Sequence, residues 1–318
     1  MKSNLKYLKI FSGSSHPQLS EKICQKIGVK PSKIEIKEFA CGEKYVQIGE
    51  SVRGCNCFVL QTATANVNEE LIELFLIIDA LKRSVAKYIH IVIPHFGYAR
   101  QDKITDSREP ISAKLMADLI ECAGAKHIIT LDLHSAQIQA FFDKPVDNLT
   151  AKKLFFDYFR RKKLKNSVVV SPDAGGAKNA EKFAKLLGTP LAILHKTRPH
   201  HNVAEIQHVI GDVKNKSVII FDDIVDTAGS VAAAANILRK NGAREIYLAA
   251  THAVFSKSAI TQLQKANFSE IVVTDSIPHN LSKLKNIKVL SIANLLAETV
   301  VGVHAGRSVS QLWESVKN

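Results

Sequence analysis

The chain has 318 residues, 46% of them hydrophobic, which is enough for two domains with substantial cores. It holds no run of about 18 or more apolar residues, and its opening MKSNLKYLKIFSGS lacks a signal-peptide core. A membrane partner is therefore not expected, and the expected location is cytoplasmic. The net charge of +13 invites a nucleic-acid reading, but the lysines are spread along the chain. The densest cluster, Arg160 to Lys163, ends a helix-like stretch, where cations suit the dipole. Attraction for polyphosphate substrates is the more economical use of the surplus, and no nucleic-acid partner is expected. The five cysteines (Cys24, Cys41, Cys55, Cys57, Cys122) are scattered, and Cys55-Asn56-Cys57 has no second ligand pair, which excludes a disulfide framework and a zinc site.

Strand-like and helix-like runs alternate throughout, which predicts an α/β chain with mainly parallel sheets and helices on both faces. In chain order, Ile89 to Ile93 is apolar and leads through Pro94 into the turn Phe96-Gly97-Tyr98-Ala99. Ile128 to Leu131 leads into Asp132 and then Leu133-His134-Ser135-Ala136. A boundary is expected near Asn148, before the helix-like Ala151 to Arg161, giving domains over 1–147 and 148–318, with the C-terminal tail able to pack back on the first. Val168 to Val170 is apolar and is followed by Ser171-Pro172 and Asp173-Ala174-Gly175-Gly176-Ala177. The segment Lys196-Thr197-Arg198-Pro199-His200-His201-Asn202 is basic, carries a proline and has no clear apolar period, and reads as a mobile loop over a site. Val218 to Phe221 leads into Asp222 much as Ile128 to Leu131 leads into Asp132, so the two halves echo one another.

The richest stretch is VIIFDDIVDTAGS, Val218 to Ser230. A buried parallel strand over Val218–Phe221 ends in Asp222 and Asp223; Asp226 comes next, and Ser230 to Lys240 has strong helix formers with Gly242 to stop them. In open α/β sheets ligands bind at the carboxyl ends of strands. Small residues at 227–230 let backbone N–H groups approach a phosphate at a helix N-terminus, and the Thr227 and Ser230 hydroxyls add donors. Asp222 and Asp223 would repel phosphate, and suit sugar hydroxyls or Mg2+. The ligand implied is a phosphorylated sugar. The first half has no DTAGS equivalent after Asp132.

This pattern resembles the ribose-phosphate signature of type I phosphoribosyltransferases. The further segments FSGSSHPQLSEKI, GEKYVQIGESVRG, IPHFGYARQD with REPISAKLMADL, LDLHSAQIQAFFDKPVDNL, SPDAGGAK and IGDVKNK are similar to one family within that group, the ribose-phosphate diphosphokinases or PRPP synthetases. They run in family order from about residue 11 to 313, so the resemblance covers nearly the whole chain. It implies two similar doubly wound, phosphoribosyltransferase-like domains. It also implies transfer of the diphosphoryl group of ATP to the C1 hydroxyl of ribose 5-phosphate, with Mg2+ as cofactor, in a homo-oligomer of dimers that assemble into hexamers.

Residue by residue, the resemblance assigns catalysis to Lys196 and Arg198, which would neutralise charge on the transferring group. It assigns Mg2+ contacts to His134 and Asp173. ATP contacts fall on Phe39, Cys41, Gly42 and Glu43, and on Arg100, Gln101 and Asp102. Ribose 5-phosphate contacts fall on Arg198, Asp222, Asp223 and the loop Asp226, Thr227, Ala228, Gly229, Ser230. Ser51-Val52-Arg53-Gly54 and Ser308-Val309-Ser310 resemble segments linked in the family with regulatory phosphate or ADP. Three departures stand out: Cys41 where the family usually has Asp or Asn, His95 where Tyr is usual, and Thr197 in place of the middle Arg of the catalytic triplet. The alternatives are a non-catalytic regulatory subunit associated with PRPP synthetase, a phosphoribosyltransferase that consumes PRPP, and a PRPP-sensing nucleic-acid binder.

Overall fold

The structure is a computed structural model, and it describes residues 2–200 and 203–309, without the side chains of 2–4, 196–200 and 203–207. The chain divides into two compact units. The first is built from Met1–Thr150 and takes in Ser276–Pro278 and the segment beginning at Ser291; the second is Ala151–Asp275 with His279–Leu290. Both are α/β with mainly parallel sheets, as the alternation predicts.

The first unit opens with a single 3-10 turn (Lys2–Tyr7), β1 (Leu8–Ser12) and α1 (Pro17–Ile27). An antiparallel hairpin comes next, β2 (Ile34–Glu38) and β3 (Lys44–Ile48). Then come β4 (Asn56–Leu60), α2 (Val67–Arg83), β5 (Tyr88–Ile93), α3 (Ser112–Ala123), β6 (His127–Leu131), a 3-10 turn (Ala136–Phe141) and β7 (Val146–Leu149). The sheet order is β1-β4-β5-β6-β7, parallel throughout. Ile89, Ile91 and Ile93 project from one face of β5 and Ile128 from β6, onto Leu74, Ile77, Ile78 and Leu81 of α2 and Ala113, Ala117 and Ile120 of α3. Burying each such large aliphatic side chain contributes about 1.5–3 kcal/mol.

The second unit runs α4 (Lys152–Lys162), β8 (Ser167–Ser171), α5 (Ala177–Leu187), β9 (Leu191–His200), β10 (Val203–Ile210), β11 (Ser217–Val225), α6 (Gly229–Lys240), β12 (Glu245–Ala253), α7 (Ala259–Ala266), β13 (Glu270–Thr274) and β14 (Ile287–Leu290). The last helix, α8 (Ala293–His304), returns to the first unit, where it packs on α1. The second sheet has the order β10-β9-β8-β11-β12-β13-β14, parallel except for the β9/β10 pair. One face packs Val168, Val170, Val218, Ile220 and Leu248 on the small, buried face of α6 (Val231, Ala234, Ala235, Leu238). The other carries aromatic rings: Phe221 stacks on Phe183 with centroids 4.3 Å apart and meets Phe155 edge-on at 5.7 Å.

One expectation is corrected here. Residues 196–200 do not form a loop: they continue β9, with Thr197 opposite Glu205 and His200 opposite Val203 in an antiparallel pair. β8 pairs with β9 only from Leu191 to Ile193, so beyond Ile193 β9 is one arm of a two-stranded ribbon with β10 alone. His201 and Asn202 lie outside the described residues.

Candidate active site

In the second unit β8 and β11 are neighbours, so the segments that succeed them share one edge of the sheet. After β8, Ser171 Oγ donates to Asp173 O (2.7 Å), and Asp173 Oδ1 accepts from Gly176 N–H (2.9 Å) just ahead of α5. The strand expected to stop at Phe221 runs on through both acids to Val225, and within it Asp222 Oδ1 accepts from Asp223 N–H (3.0 Å). Burial, reinforced by the Asp223 carboxylate and more weakly by Asp173, pushes the Asp222 carboxyl well above the ordinary carboxylate range. Three of the residues singled out in the sequence are thus electrostatically coupled around one strand end. Carboxylate oxygens are the donors that a hard divalent cation takes. Among the described residues, no group of three or more His, Cys, Asp or Glu side chains could by itself hold a metal ion. Such an ion would draw on water or a ligand for the rest of its shell.

The loop beyond Asp226 opens α6. The helix begins at Gly229, with Ala228 before it in the left-handed region (φ 63°) and no side-chain cap. The first N–H groups of a helix have no intrahelical partner. A left-handed residue followed by helical ones forms a concave nest of N–H groups that favours an anion, as the helix dipole does. A Cβ added at Gly229 would meet only Thr227 Oγ1, at 3.9 Å, so no protein atom compels glycine there. Thr227, Gly229 and Ser230 are exposed and Asp223 and Asp226 half-buried. Ser256, which carries no signal in the sequence, donates from Oγ to Asp226 Oδ1 (2.5 Å). The side chains of Lys196 and Arg198 lie outside the described residues.

In the first unit β4, β5 and β6 are neighbours, and the segments after them again share a sheet edge. Gly97 sits so near α2 that a Cβ would lie 2.6 Å from Val67 Cγ2, which only glycine avoids. The turn continues through Tyr98 (φ 63°), whose carbonyl accepts from Gln101 N–H (2.9 Å). Gln101 is then tied to the start of α3: Ser112 Oγ donates to its Oε1 (2.6 Å) and Ala113 N–H to its carbonyl (3.1 Å). Arg100 is exposed and Asp102 half-buried. His95, the second departure from the family pattern, is held by Thr62 Oγ1, which accepts from its N–H (3.1 Å), and by a contact of Nδ1 with Ala63 O (2.8 Å). Thr62 likewise carries no signal in the sequence.

After β6, the buried Asp132 takes a left-handed turn (φ 39°) and leaves His134 exposed. Leu133 N–H donates to Asn148 Oδ1 (3.1 Å), which fixes the strand end below it. Phe39, Cys41, Gly42 and Glu43 form the tip of the β2–β3 hairpin, closed by Phe39 N–H to Glu43 O (2.8 Å) and Gly42 N–H to Phe39 O (2.8 Å). The Phe39 ring is 53% exposed and meets Tyr45 edge-on at 5.9 Å, a surface open to stacking. His134 and Asp173, paired by the family resemblance as metal contacts, belong to different units. Among the tail residues, Ser308 is exposed and Val309 buried, while Ser310 lies outside the described residues.

Comparison with known proteins is consistent along the chain. Residues 8–124 match the N-terminal domain of ribose phosphate pyrophosphokinase, and residues 198–314 the phosphoribosyl synthetase-associated domain. The ribose-phosphate pyrophosphokinase of Bacillus subtilis (strain 168) is 47% identical over 310 residues, covering 97% of this chain and 98% of that protein. That of Corynebacterium ammoniagenes is 47% identical over 308 residues, covering 96% and 97%. The crystal structure of phosphoribosylpyrophosphate synthetase from Mycobacterium smegmatis superposes with a TM-score of 0.90 at 44% identity, over 95% of this chain and all of that one. With identity at this level along nearly its full length, the chain belongs to the ribose-phosphate pyrophosphokinase family.

Proposed function

We propose that this protein transfers the diphosphoryl group of ATP to the C1 hydroxyl of ribose 5-phosphate, giving PRPP and AMP. The observation that carries the reading is the uncapped N-terminus of α6 behind Ala228, next to Asp222 and Asp223: an anion cradle and sugar-hydroxyl acceptors on one strand–loop–helix junction. The cradle takes the 5-phosphate through the N–H groups of 228–230 and the Thr227 and Ser230 hydroxyls. Asp222, Asp223 and Asp226 face the ribose, with Arg198 as a further phosphate contact. On the first unit, Phe39 stacks on adenine beside Cys41, Gly42 and Glu43, and Arg100, Gln101 and Asp102 take the rest of the nucleotide. Lys196 and Arg198 stabilise charge on the transferring group.

Mg2+, when bound, would neutralise polyphosphate charge, and Asp173 and His134 are the residues of this chain assigned to hold it, His134 by way of water. The protein acts as a homo-oligomer in the cytoplasm. No helix among the described residues is long and apolar enough to cross a membrane.

The test is direct. Incubation with ATP, Mg2+ and ribose 5-phosphate should yield AMP and PRPP in equal amounts. Absence of AMP across varied nucleotide and phosphate concentrations, with ribose 5-phosphate still bound, would instead mark a regulatory subunit. Release of diphosphate from added PRPP and a base would mark a phosphoribosyltransferase.

A further inference from the structure

We infer that Ser256 is a positioning residue that aligns the Asp226 carboxylate with the sugar of the ligand. The inference rests on the proposed function, in which the 226–230 loop holds ribose 5-phosphate. β11 and β12 end their regular pairing at Val225 opposite Ala253. The chain after β12 does not leave at once. Phe255 N–H donates to Val225 O (3.1 Å) and Ser256 N–H to Asp226 O (3.1 Å), so the two chains stay joined up to the first residue of the cradle loop. That places Ser256 beside Asp226, with its Oγ donating to Oδ1.

The segment is held there against its own backbone preference. Phe255 (φ 49°) and Lys257 (φ 50°) flank Ser256, and both are left-handed. Non-glycine residues avoid that region, and a bulky one such as Phe most of all. The surroundings compensate: the Phe255 ring packs on the core of the second unit and lies 5.5 Å from the His279 ring. Ser256 O accepts from Ala259 N–H (3.0 Å) at the start of α7. Two unfavourable backbone positions around one side chain, bonded to a ligand loop, form the kind of strain that persists where function requires it.

The chemistry gives the bond a use. A carboxylate next to a phosphate cradle repels the phosphate unless its charge is aimed elsewhere. The terminal torsion of Asp is broad, so nothing within the side chain sets the plane of the carboxylate. A hydroxyl donating to one oxygen sets it, and a bond to a charged acceptor is stronger than one to a neutral group. Asp226 then presents a prealigned acceptor to a sugar hydroxyl. Loss of the alignment should appear in affinity for the sugar phosphate and not in affinity for the nucleotide.

The experiment uses the full chain as wild type, Ser256→Ala, Ser256→Thr, Asp226→Asn and the Ala/Asn double variant. Calorimetric titration with ribose 5-phosphate and steady-state KM for each substrate are measured, with circular dichroism melts to verify folding. Ser256→Ala should weaken ribose 5-phosphate binding about tenfold, with KM for ATP within about twofold. Ser256→Thr, which keeps the hydroxyl, should restore binding, and in the Asp226→Asn background Ser256→Ala should add nothing. Unchanged sugar-phosphate binding in Ser256→Ala would overturn the inference. So would an equal loss for both substrates, or the same loss in the Asp226→Asn background. Failure of the wild-type chain to bind ribose 5-phosphate would overturn the reading of the loop, and the inference with it.

Discussion

The strand ends of β6 and β11 start alike and finish differently. In each, an apolar stretch of parallel strand runs into an acid: Asp132 follows β6, while Asp222 lies inside β11, which continues to Val225. Asp132 is buried and turned left-handed, and the chain then makes a six-residue 3-10 turn, Ala136–Phe141. Asp222 is succeeded by a second acid, a left-handed Ala228 and a twelve-residue α-helix. A single 3-10 turn has poor hydrogen-bond geometry and little aligned dipole, whereas three turns of α-helix present about half a positive charge at the N-terminus. One plan thus gives an α-helix N-terminus without a side-chain cap in the second unit and a 3-10 turn in the first. The difference lies in the residues after the apolar stretch, since β6 and β11 each have parallel neighbours on both sides.

The largest expected effect tests whether the sugar side can work without the transfer machinery. Lys196→Ala should cut turnover about a thousandfold, in the range of losing one transition-state charge contact, while calorimetry still registers ribose 5-phosphate. Normal turnover would remove Lys196 from the mechanism. The next effect compares the two strand ends directly. Gly229→Val puts side-chain atoms into the cradle without a protein clash at its Cβ, and should weaken ribose 5-phosphate by about ten- to a hundredfold. Ala136→Val, at the start of the corresponding turn in the first unit, should leave that affinity unchanged. Equal losses from both would mean that the two ends are not functionally distinct.

How much of this was legible depends on the range of the interactions. Val218–Phe221, the acids and the small residues of 227–230 are contiguous, so a strand followed by a helix could be read locally, although β11 continues through both acids to Val225. The β9–β10 ribbon could not. Beyond Ile193, β9 has only one neighbour, so no second strand imposes the period-two burial that marks a central strand, and Pro199 with its basic neighbours reads as loop. The β2–β3 hairpin does alternate, with Ile34 and Ile36 on the core side, but its five-residue strands are short and interrupted by charge. Ser256 lies 30 residues from Asp226, and Thr62 lies 33 from His95. Those contacts exist only after the sheets have formed, and nothing in local composition announces them.

A smaller effect uses Asp222, the acid that Asp223 crowds within β11. The Asp222 carboxyl is raised in the folded state, so folding is favoured while it stays protonated. That contribution is present below the unfolded carboxylate range and is lost as pH rises through the raised folded value. Asp222→Asn removes the buried charge. In chelator and without ligand it should raise Tm at pH 7–8 by about 2–4 °C, and at the same time weaken ribose 5-phosphate binding. A lower Tm would mean that the Asp222 charge is well compensated in the free protein.

One histidine of the first unit carries the opposite sign, and this is the finest test of the comparison. His90 on β5 is 8% exposed, stacked on Phe58 with centroids 4.4 Å apart, and its Nδ1 lies 3.2 Å from His127 Nδ1. Tyr88 and His304 also face it, and His127 is itself paired through Nε2 with Asp147 (3.1 Å). Burial, then the charges of His127 and His304, push His90 down to about 3. The unfolded chain takes up that proton near pH 6.5 and the folded chain does not. The stability concerned is therefore fully present above pH 6.5 and falls by about 1.4 kcal/mol per pH unit as the solution is acidified toward the folded value. His90→Asn keeps a polar group near the Nδ1 position and loses the stacking, so it should be less stable at pH 7.5 by about 0.5–1.5 kcal/mol. Its stability should nevertheless decline less steeply than that of the wild type between pH 6.5 and 5, measured by urea unfolding at each pH. Parallel profiles would show that His90 takes up its proton equally in the folded and unfolded chains, and the opposed pH response would then have to be carried by other groups.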